Sequence, residues 1–431
     1  MIKYIIPFFL ILSVASCDIE DLSNPNGSSI AGFDKDATKS SLQTLVTGIE
    51  DLLRQDVGFY YDVVSIVGRE YYFFTGSDPR YTGEVLGKGQ SQLDNAGFYG
   101  TRPFSGRYRT VKTANVLIDG ATNSSLITPA DLNGYLGYAK TMQAYELHLV
   151  ANLQFENGIR LDVSDPQNLS DFVSYQESLA GIQSLLDEGA SNLGAAGGSF
   201  PFSLSGAMTD FSDPSSFLGF NRGISARIAL YQGNKSDALS KLSSSFMDMG
   251  GDLNVGPARF YSSAGGDFNN NLFRTPDQAD AIIVHPSLIA DATAGDARLS
   301  KVLLRQSGTL TLDGLSGDYD VFVYKSLTDF VPFIRNEELI LINAEANIGG
   351  NNGAAIAAIN VIRNAAGIGD YSGGMDDASL INEVLYQRRY SLLGEAHRWV
   401  DMRRLGKLGD LPIDREGDDV WVQFPRPVTE N

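Results

Sequence analysis

From Lys39 onward, apolar residues recur at three- and four-residue steps, at Leu42, Leu45, Ile49, Leu52 and Leu53, and the spacing predicts an amphipathic helix. The same period returns over Val111–Ile118 and over Leu136–Leu153, where Leu136, Met142, Tyr145, Leu149 and Leu153 mark one broad face. Phe172–Leu186 is a further amphipathic stretch. Ser216–Tyr231 and Lys235–Met249 predict a helix pair around the turn Gln232-Gly233-Asn234. Helical segments follow at Ile334–Ile348, Ala354–Ala366 and Leu380–Leu393, with an irregular closing segment. Three regions break the pattern. Phe59–Tyr108 is dense in Tyr, Phe and Gly with little helical period, Asn192–Ser212 is a Gly/Ser/Ala-rich loop, and Gly251–Ser326 mixes short strand-like runs with Asp, Gly and Asn. The chain therefore reads as mostly α with an irregular, loop-rich side. Ala226–Leu230, Gly233 and Ala238 are echoed by Ala344–Ala346, Gly349 and Ala354. Small residues on facing helices with Gly closing the first fit tetratricopeptide-like pairs, and fit any αα-hairpin nearly as well.

The N-terminus has its own grammar. Lys3 is the only charge before Cys17, and an apolar-to-small run, Tyr4–Val14, leads to Ala15-Ser16-Cys17. A spanning helix needs roughly 20 apolar residues. This shorter run has the layout of a cleaved export signal over residues 1–16. Val14-Ala15-Ser16-Cys17 resembles the lipobox of bacterial lipoproteins, in which the cysteine is lipidated. Cys17 is the only cysteine of 431 residues, so no internal disulfide competes for it. An ordinary secretory signal with an incidental cysteine is the alternative. Residues 17–37, rich in Ser, Asn, Gly and Asp, read as a flexible tether, and Asp18-Ile19-Glu20-Asp21 within them resembles a surface-export signal. No linker divides 38–431, which reads as a single domain. The formal charge of −19 repels phosphate backbones and argues against a nucleic-acid partner.

The C-terminal third carries the most specific motifs. Arg335-Asn336-Glu337-Glu338-Leu339-Ile340-Leu341-Ile342-Asn343-Ala344-Glu345-Ala346 is followed by Asn360-Val361-Ile362-Arg363-Asn364-Ala365-Ala366-Gly367. Then come Arg388-Arg389-Tyr390, Glu395-Ala396-His397-Arg398-Trp399-Val400-Asp401-Met402-Arg403-Arg404 and the tail Phe424-Pro425-Arg426-Pro427-Val428-Thr429-Glu430-Asn431. In this order the segments resemble the motifs of the SusD/RagB-like family of nutrient-binding outer-membrane lipoproteins. Gln387 and Ser391 depart from the family's usual glutamates and Ala396 from its glycine, and the chain is shorter than typical members. The resemblance implies a SusD-like, tetratricopeptide-like helical scaffold with an irregular ligand-binding side. It also implies a lipid-anchored outer-membrane protein that captures oligosaccharide, or else peptide, over a SusC-like TonB-dependent transporter.

Glu395 with Arg398 and Asp401 with Arg404 stand three apart and are expected to pair on a helix. Acids with local arginines stay ionised, which suits a structural network better than an acid/base pair. A lipid-anchored polymer hydrolase remains the alternative from another class. His148, His285 and His397 are far apart in sequence and show no metal-ligand spacing. Asp313–Asp320 lacks the spacing of a calcium loop and reads as an Asp/Gly turn. No metal or cofactor is expected, and no catalytic residue is assigned. The aromatic stretch is the preferred binding site. Sugars have apolar faces and polar rims, which suit aromatic rings beside Asp, Asn and Arg. Tyr71, Tyr72, Phe73, Asp78, Arg80 and Tyr81 form one candidate group, and Phe98, Tyr99 and Arg102 a second. The later loop region adds Tyr261 and Asn269, beside Phe260 and Phe268. Alternation along an extended segment is expected to leave half of Tyr71–Phe74 exposed.

Overall fold

The computed structural model describes Phe33, residues 36–165 and residues 167–430; the signal segment, Cys17 and the tether to residue 32 lie outside the described residues. The fold is mostly α. Its helices are α1 (Lys39–Arg54), α2 (Val57–Val67), α3 (Phe98–Thr122), α4 (Pro129–Gln154), α5 (Tyr175–Ala195), α6 (Pro214–Tyr231), α7 (Lys235–Leu242), α8 (Pro286–Ala290), α9 (Asn336–Asn347), α10 (Asn352–Ala365), α11 (Asp377–Ser391) and α12 (Arg398–Arg404). Consecutive helices pack as hairpins from α3 to α7, and α9 joins α7 to α10 and α11. Among the described residues no helix is long and apolar enough to cross a membrane.

Both expected helix pairs close in the same way. After α6, Gly233 takes φ +77° and Asn234 caps α7. After α9, Gly349 takes φ +85° and Asn351 caps α10. Glycine carries no Cβ penalty there, and the following Asn satisfies a free N–H of the next helix. The pairs are close because small residues face one another: Ala226, Ala238, Ala344, Ala355 and Ala358 are fully buried. Between α4 and α5, a Cβ on Gly137 would lie 2.6 Å from Leu193.

Several bounds differ from the periodicity. α3 starts at Phe98 rather than Val111, in a stretch whose glycines and internal Pro103 mask the helical period. α5 starts at Tyr175 because Ser174 and Glu177 form a capping box. Ser174→Ala is expected to lower stability by about 1 kcal/mol, seen as a lower urea midpoint. α7 stops at Leu242, before the run Ser243-Ser244-Ser245. α12 supplies the helical turn expected for Asp401 and Arg404 within the otherwise irregular closing segment.

The loop regions build a four-stranded antiparallel sheet. Its order is Tyr71–Phe74, Ala281–Val284, Tyr319–Val321 and Val302–Leu304. A separate two-stranded ribbon pairs Ala258–Arg259 with Val331–Pro332. The Asp313–Gly314 turn links Leu310–Leu312 to Leu315–Gly317, both turn residues at positive φ, as a type I′ hairpin requires.

Candidate functional site

The strand Tyr71–Phe74 is covered on both faces, so alternation exposes neither. Tyr71 and Tyr72 are buried. The Tyr71 hydroxyl donates to Asp62 Oδ1 at 3.2 Å, and Tyr72 stacks on Phe74 with ring centres 5.5 Å apart. Tyr99 is also buried, its hydroxyl donating to Glu84 and accepting from the Asp94 N–H at 2.7 Å. The remaining members of the two groups do meet. Phe73 lies 4.6 Å from Tyr81, Tyr81 5.5 Å from Phe98, and Phe98 5.6 Å from Phe59. Arg80 sits 4.5 Å over Phe98 and Arg102 4.3 Å over Phe59. Both guanidiniums are already paired. Arg80 holds Asp78 at 2.9 and 2.7 Å, keeping that carboxyl below its usual range, and Arg102 holds Asp56 at 2.8 Å. This patch therefore offers rings with one face occupied.

A second surface is more open. A cleft of ≈590 Å³ lies between α1, α4, the loop 203–208 and the loop 258–268. α1 pins one wall: Gln43 exchanges hydrogen bonds with the Ser203 backbone at 3.0 and 2.7 Å, and Glu50 accepts from the Ser205 N–H at 3.0 Å. Burial raises the Glu50 pKa against those hydrogen bonds. Arg54 pins the other wall, donating to Asp267 at 2.6 Å and to the Phe260 carbonyl at 3.0 Å, and pairing with Asp51. On the floor, the buried Tyr138 hydroxyl has no hydrogen-bond partner. The rim carries Phe268, 39% exposed, and beside the cleft stands Phe330, 45% exposed. They are the most exposed aromatic side chains among the described residues. Phe330 packs 5.5 Å from Phe260. The buried Asn270 ties the two loops together through Asp329 O and Leu327 O.

Of the loop candidates, Tyr261 is buried and does not line this cleft, and Asn269 is exposed next to Phe268. Phe330, just beyond the loop region singled out by composition, and the α1 side chains Gln43, Glu50 and Arg54 were not anticipated. The α1 residues read from sequence as an ordinary polar helix face.

The C-terminal motifs form a buried ionic network. Glu338 receives two hydrogen bonds from Arg227 at 2.7 and 2.6 Å, and His397 stands 3.6 Å away. Burial pulls the Glu338 carboxyl up, but Arg227 and His397 outweigh it and hold it at about 2. Arg388 pairs with Asp401 at 2.6 Å, and Arg404 bridges Asp401 at 2.9 Å and Glu345 at 2.6 Å. The expected Asp401–Arg404 pair is present. The expected Glu395–Arg398 pair is not: α12 begins only at Arg398, so the two share no helical turn. Glu395 pairs instead with Arg335 at 2.5 Å, and Arg398 donates to the Gly68 carbonyl at 3.1 Å.

One arrangement imitates a hydrolase. Ser287 Oγ is 2.7 Å from His285 Nδ1, and His285 Nε2 is 2.8 Å from Asp414. The Ser287 N–H also donates to Nδ1, because His285 is the N-cap of α8, and Arg389 donates to Oγ. These contacts make it a helix-capping arrangement, with Ser287 engaged by the cap and by Arg389. Among the described residues no group of three or more His, Cys, Asp or Glu side chains could hold a metal ion. Asp313 is occupied by Lys88 and by Arg415, the latter at 3.0 Å.

No curated protein matches the chain in sequence. The SusD family model matches residues 324–420. Solved structures share the fold. A SusD superfamily protein from Parabacteroides distasonis is 14% identical with a TM-score of 0.69, covering 92% of this chain and 97% of its own. A SusD-like carbohydrate binding protein from Bacteroides vulgatus is 16% identical with a TM-score of 0.65, over 86% of this chain and 84% of its own. Surface glycan-binding protein A from Bacteroides uniformis is 13% identical with a TM-score of 0.64, over 86% and 88%. The chain thus carries a segment that matches the SusD family model, on a helical scaffold that shares the fold of SusD superfamily structures.

Proposed function

We propose that this protein captures oligosaccharide at the outer-membrane surface and passes it to a SusC-like TonB-dependent transporter, with residues 38–431 acting as one binding domain on a lipid anchor at Cys17. The observation that carries the reading is the placement of the most exposed aromatic side chains, Phe268 on the rim of a cleft with polar walls and Phe330 beside it, against the cleft-lining Phe260. An aromatic face beside hydrogen-bonding groups suits the alternating apolar and hydroxyl surface of a sugar. The names of the fold relatives, a carbohydrate binding protein and a surface glycan-binding protein, support the same ligand class. Tyr261 and Asn269 follow the cleft-lining Phe260 and Phe268 in the chain, Tyr261 buried and Asn269 exposed. Phe73, Asp78, Arg80, Tyr81, Phe98 and Arg102 form the neighbouring aromatic–arginine patch, and Tyr71, Tyr72 and Tyr99 support it from the core.

The test is a panel of polysaccharides and peptides against the soluble chain lacking the first 17 residues, read by calorimetry. Saturable binding to a glycan is expected. Binding to peptides alone moves the ligand class, and binding to neither overturns the function. In cells, Cys17→Ala is expected to abolish uptake; normal uptake by that variant removes the anchor from the mechanism.

A further inference from the structure

The ribbon of Ala258–Arg259 and Val331–Pro332 has a cleft on each side. Ala258, Arg259 and Phe333 line the first cleft, and Pro332 and Arg335 line a second of ≈660 Å³. At the top of this shared wall Phe260 belongs to the first cleft and Phe330 to the second, their rings 5.5 Å apart. The two clefts thus meet at one aromatic ridge.

Their floors are alike in one respect. Tyr138 in the first and Tyr324 in the second are each nine-tenths or more buried, and each hydroxyl lacks a partner. A buried hydroxyl without a hydrogen bond is costly, and a polar ligand entering the cleft relieves that cost.

Their charges are alike as well. In the second cleft Arg298 holds Asp296 at 2.9 and 2.7 Å, and Arg335 holds Glu337 at 2.6 Å and Glu395 at 2.5 Å. Lys301 is held by the Tyr390 and Ser391 carbonyls, and Asp329 lies on the lining. In the first cleft Arg54 and Arg259 are outnumbered by Glu50, Asp51 and Asp267. Arg259 has no carboxylate partner, but the Leu53 and Pro332 carbonyls and the Tyr61 and Tyr145 hydroxyls occupy its guanidinium; the cations of both clefts are thus engaged, and an acidic ligand meets carboxylates in both.

We propose that the second cleft is a further subsite of the same binding surface, and that its ligand is an uncharged oligosaccharide long enough to cross the Phe260–Phe330 ridge. This rests on the reading that the first cleft binds glycan. The ridge offers stacking for a central sugar, and each orphan tyrosine hydroxyl offers a hydrogen bond to a sugar on its own side. A ligand confined to one cleft gains only one of the two.

The experiment uses a length series, disaccharide to octasaccharide, cut from the neutral polysaccharide that binds in the panel, titrated into the soluble chain and into its Tyr324→Phe variant. Affinity is expected to rise about tenfold or more once the chain is long enough to bridge. Tyr324→Phe is expected to weaken the octasaccharide about five- to tenfold and leave the disaccharide unchanged. Near-identical circular dichroism and urea midpoints show that the variant folds. A flat length series overturns the proposal, as does a Tyr324→Phe effect that is absent or equal at all lengths. Equal or tighter binding of a uronic-acid oligosaccharide overturns the uncharged class while leaving glycan capture intact. If no glycan in the panel binds, it is the proposed function itself that fails.

Discussion

A soluble chain carrying both Phe268→Ala and Phe330→Ala is expected to bind its oligosaccharide about 100-fold more weakly than the parent, and to keep its fold with a modestly lower urea midpoint. The rings are 39% and 45% exposed, so truncating them removes part of their packing, Arg54 over Phe268 and Phe260 against Phe330, at a cost of about 1 kcal/mol each. In the complex each ring covers the apolar face of a sugar. Aromatic stacking and the area it removes from water are together worth about 1–2 kcal/mol per ring. Two rings then give close to 2.7 kcal/mol, which is about two decades of affinity. Each single variant should lose about one decade. Phe98→Ala is the control, because Arg80 covers one face of that ring 4.5 Å away. If Phe98→Ala loses binding and the double variant keeps it, the site belongs to the aromatic–arginine patch and not to the cleft.

The contrast between these surfaces marks how far the sequence can be read. Helices α1, α4, α6 and α9 are legible because their apolar residues keep the helical period. The start of α3 is not, since Gly97, Gly100, Pro103 and Gly106 carry no such signal and tertiary packing decides. For the site, composition locates aromatic clusters but cannot say which ring faces remain free. Tyr71 and Tyr72 alternate as expected, yet α2 packs on the strand and Tyr72 is closed in by Phe74 and His285. Exposure is a property of what folds over a residue from elsewhere in the chain. Phe330 is unremarkable in sequence and becomes a site residue only because the ribbon brings it to Phe260. Gln43, Glu50 and Arg54 likewise acquire meaning only when the loops at 203–205 and 260–267 close over α1.

Arg227→Met alone is expected to destabilise the fold by about 3–5 kcal/mol, whereas Arg227→Met combined with Glu338→Leu should recover most of that loss. The pair joins α6 to α9, the two helix-hairpin units of the scaffold, and both side chains are almost fully buried. Removing one partner leaves the other's charge in a low-dielectric site, and that penalty exceeds the net value of the pair. Removing both eliminates the penalty. His397, beside Glu338, sets the acid behaviour. Burial is the largest influence on it and lowers its pKa from 6.5 to about 4. As pH falls below 6.5 the unfolded chain takes up this proton before the folded one, so stability drops between pH 6.5 and 4, by on the order of 3 kcal/mol. Glu338, lowered from 4.5 to about 2, adds stability that is complete above pH 4.5 and lost as pH falls toward 2. His397→Gln should therefore lessen the fall in urea midpoint between pH 6.5 and 4, with the buried His148, whose pKa burial also lowers, contributing to what remains, and leave the steeper loss below 4.5. The Arg227/Glu338 double variant should remove the Glu338 contribution to that lower limb. An Arg227→Met variant as stable as the parent at pH 7 would mean that water reaches Glu338, and the ionic contact could then not be what joins the two hairpins.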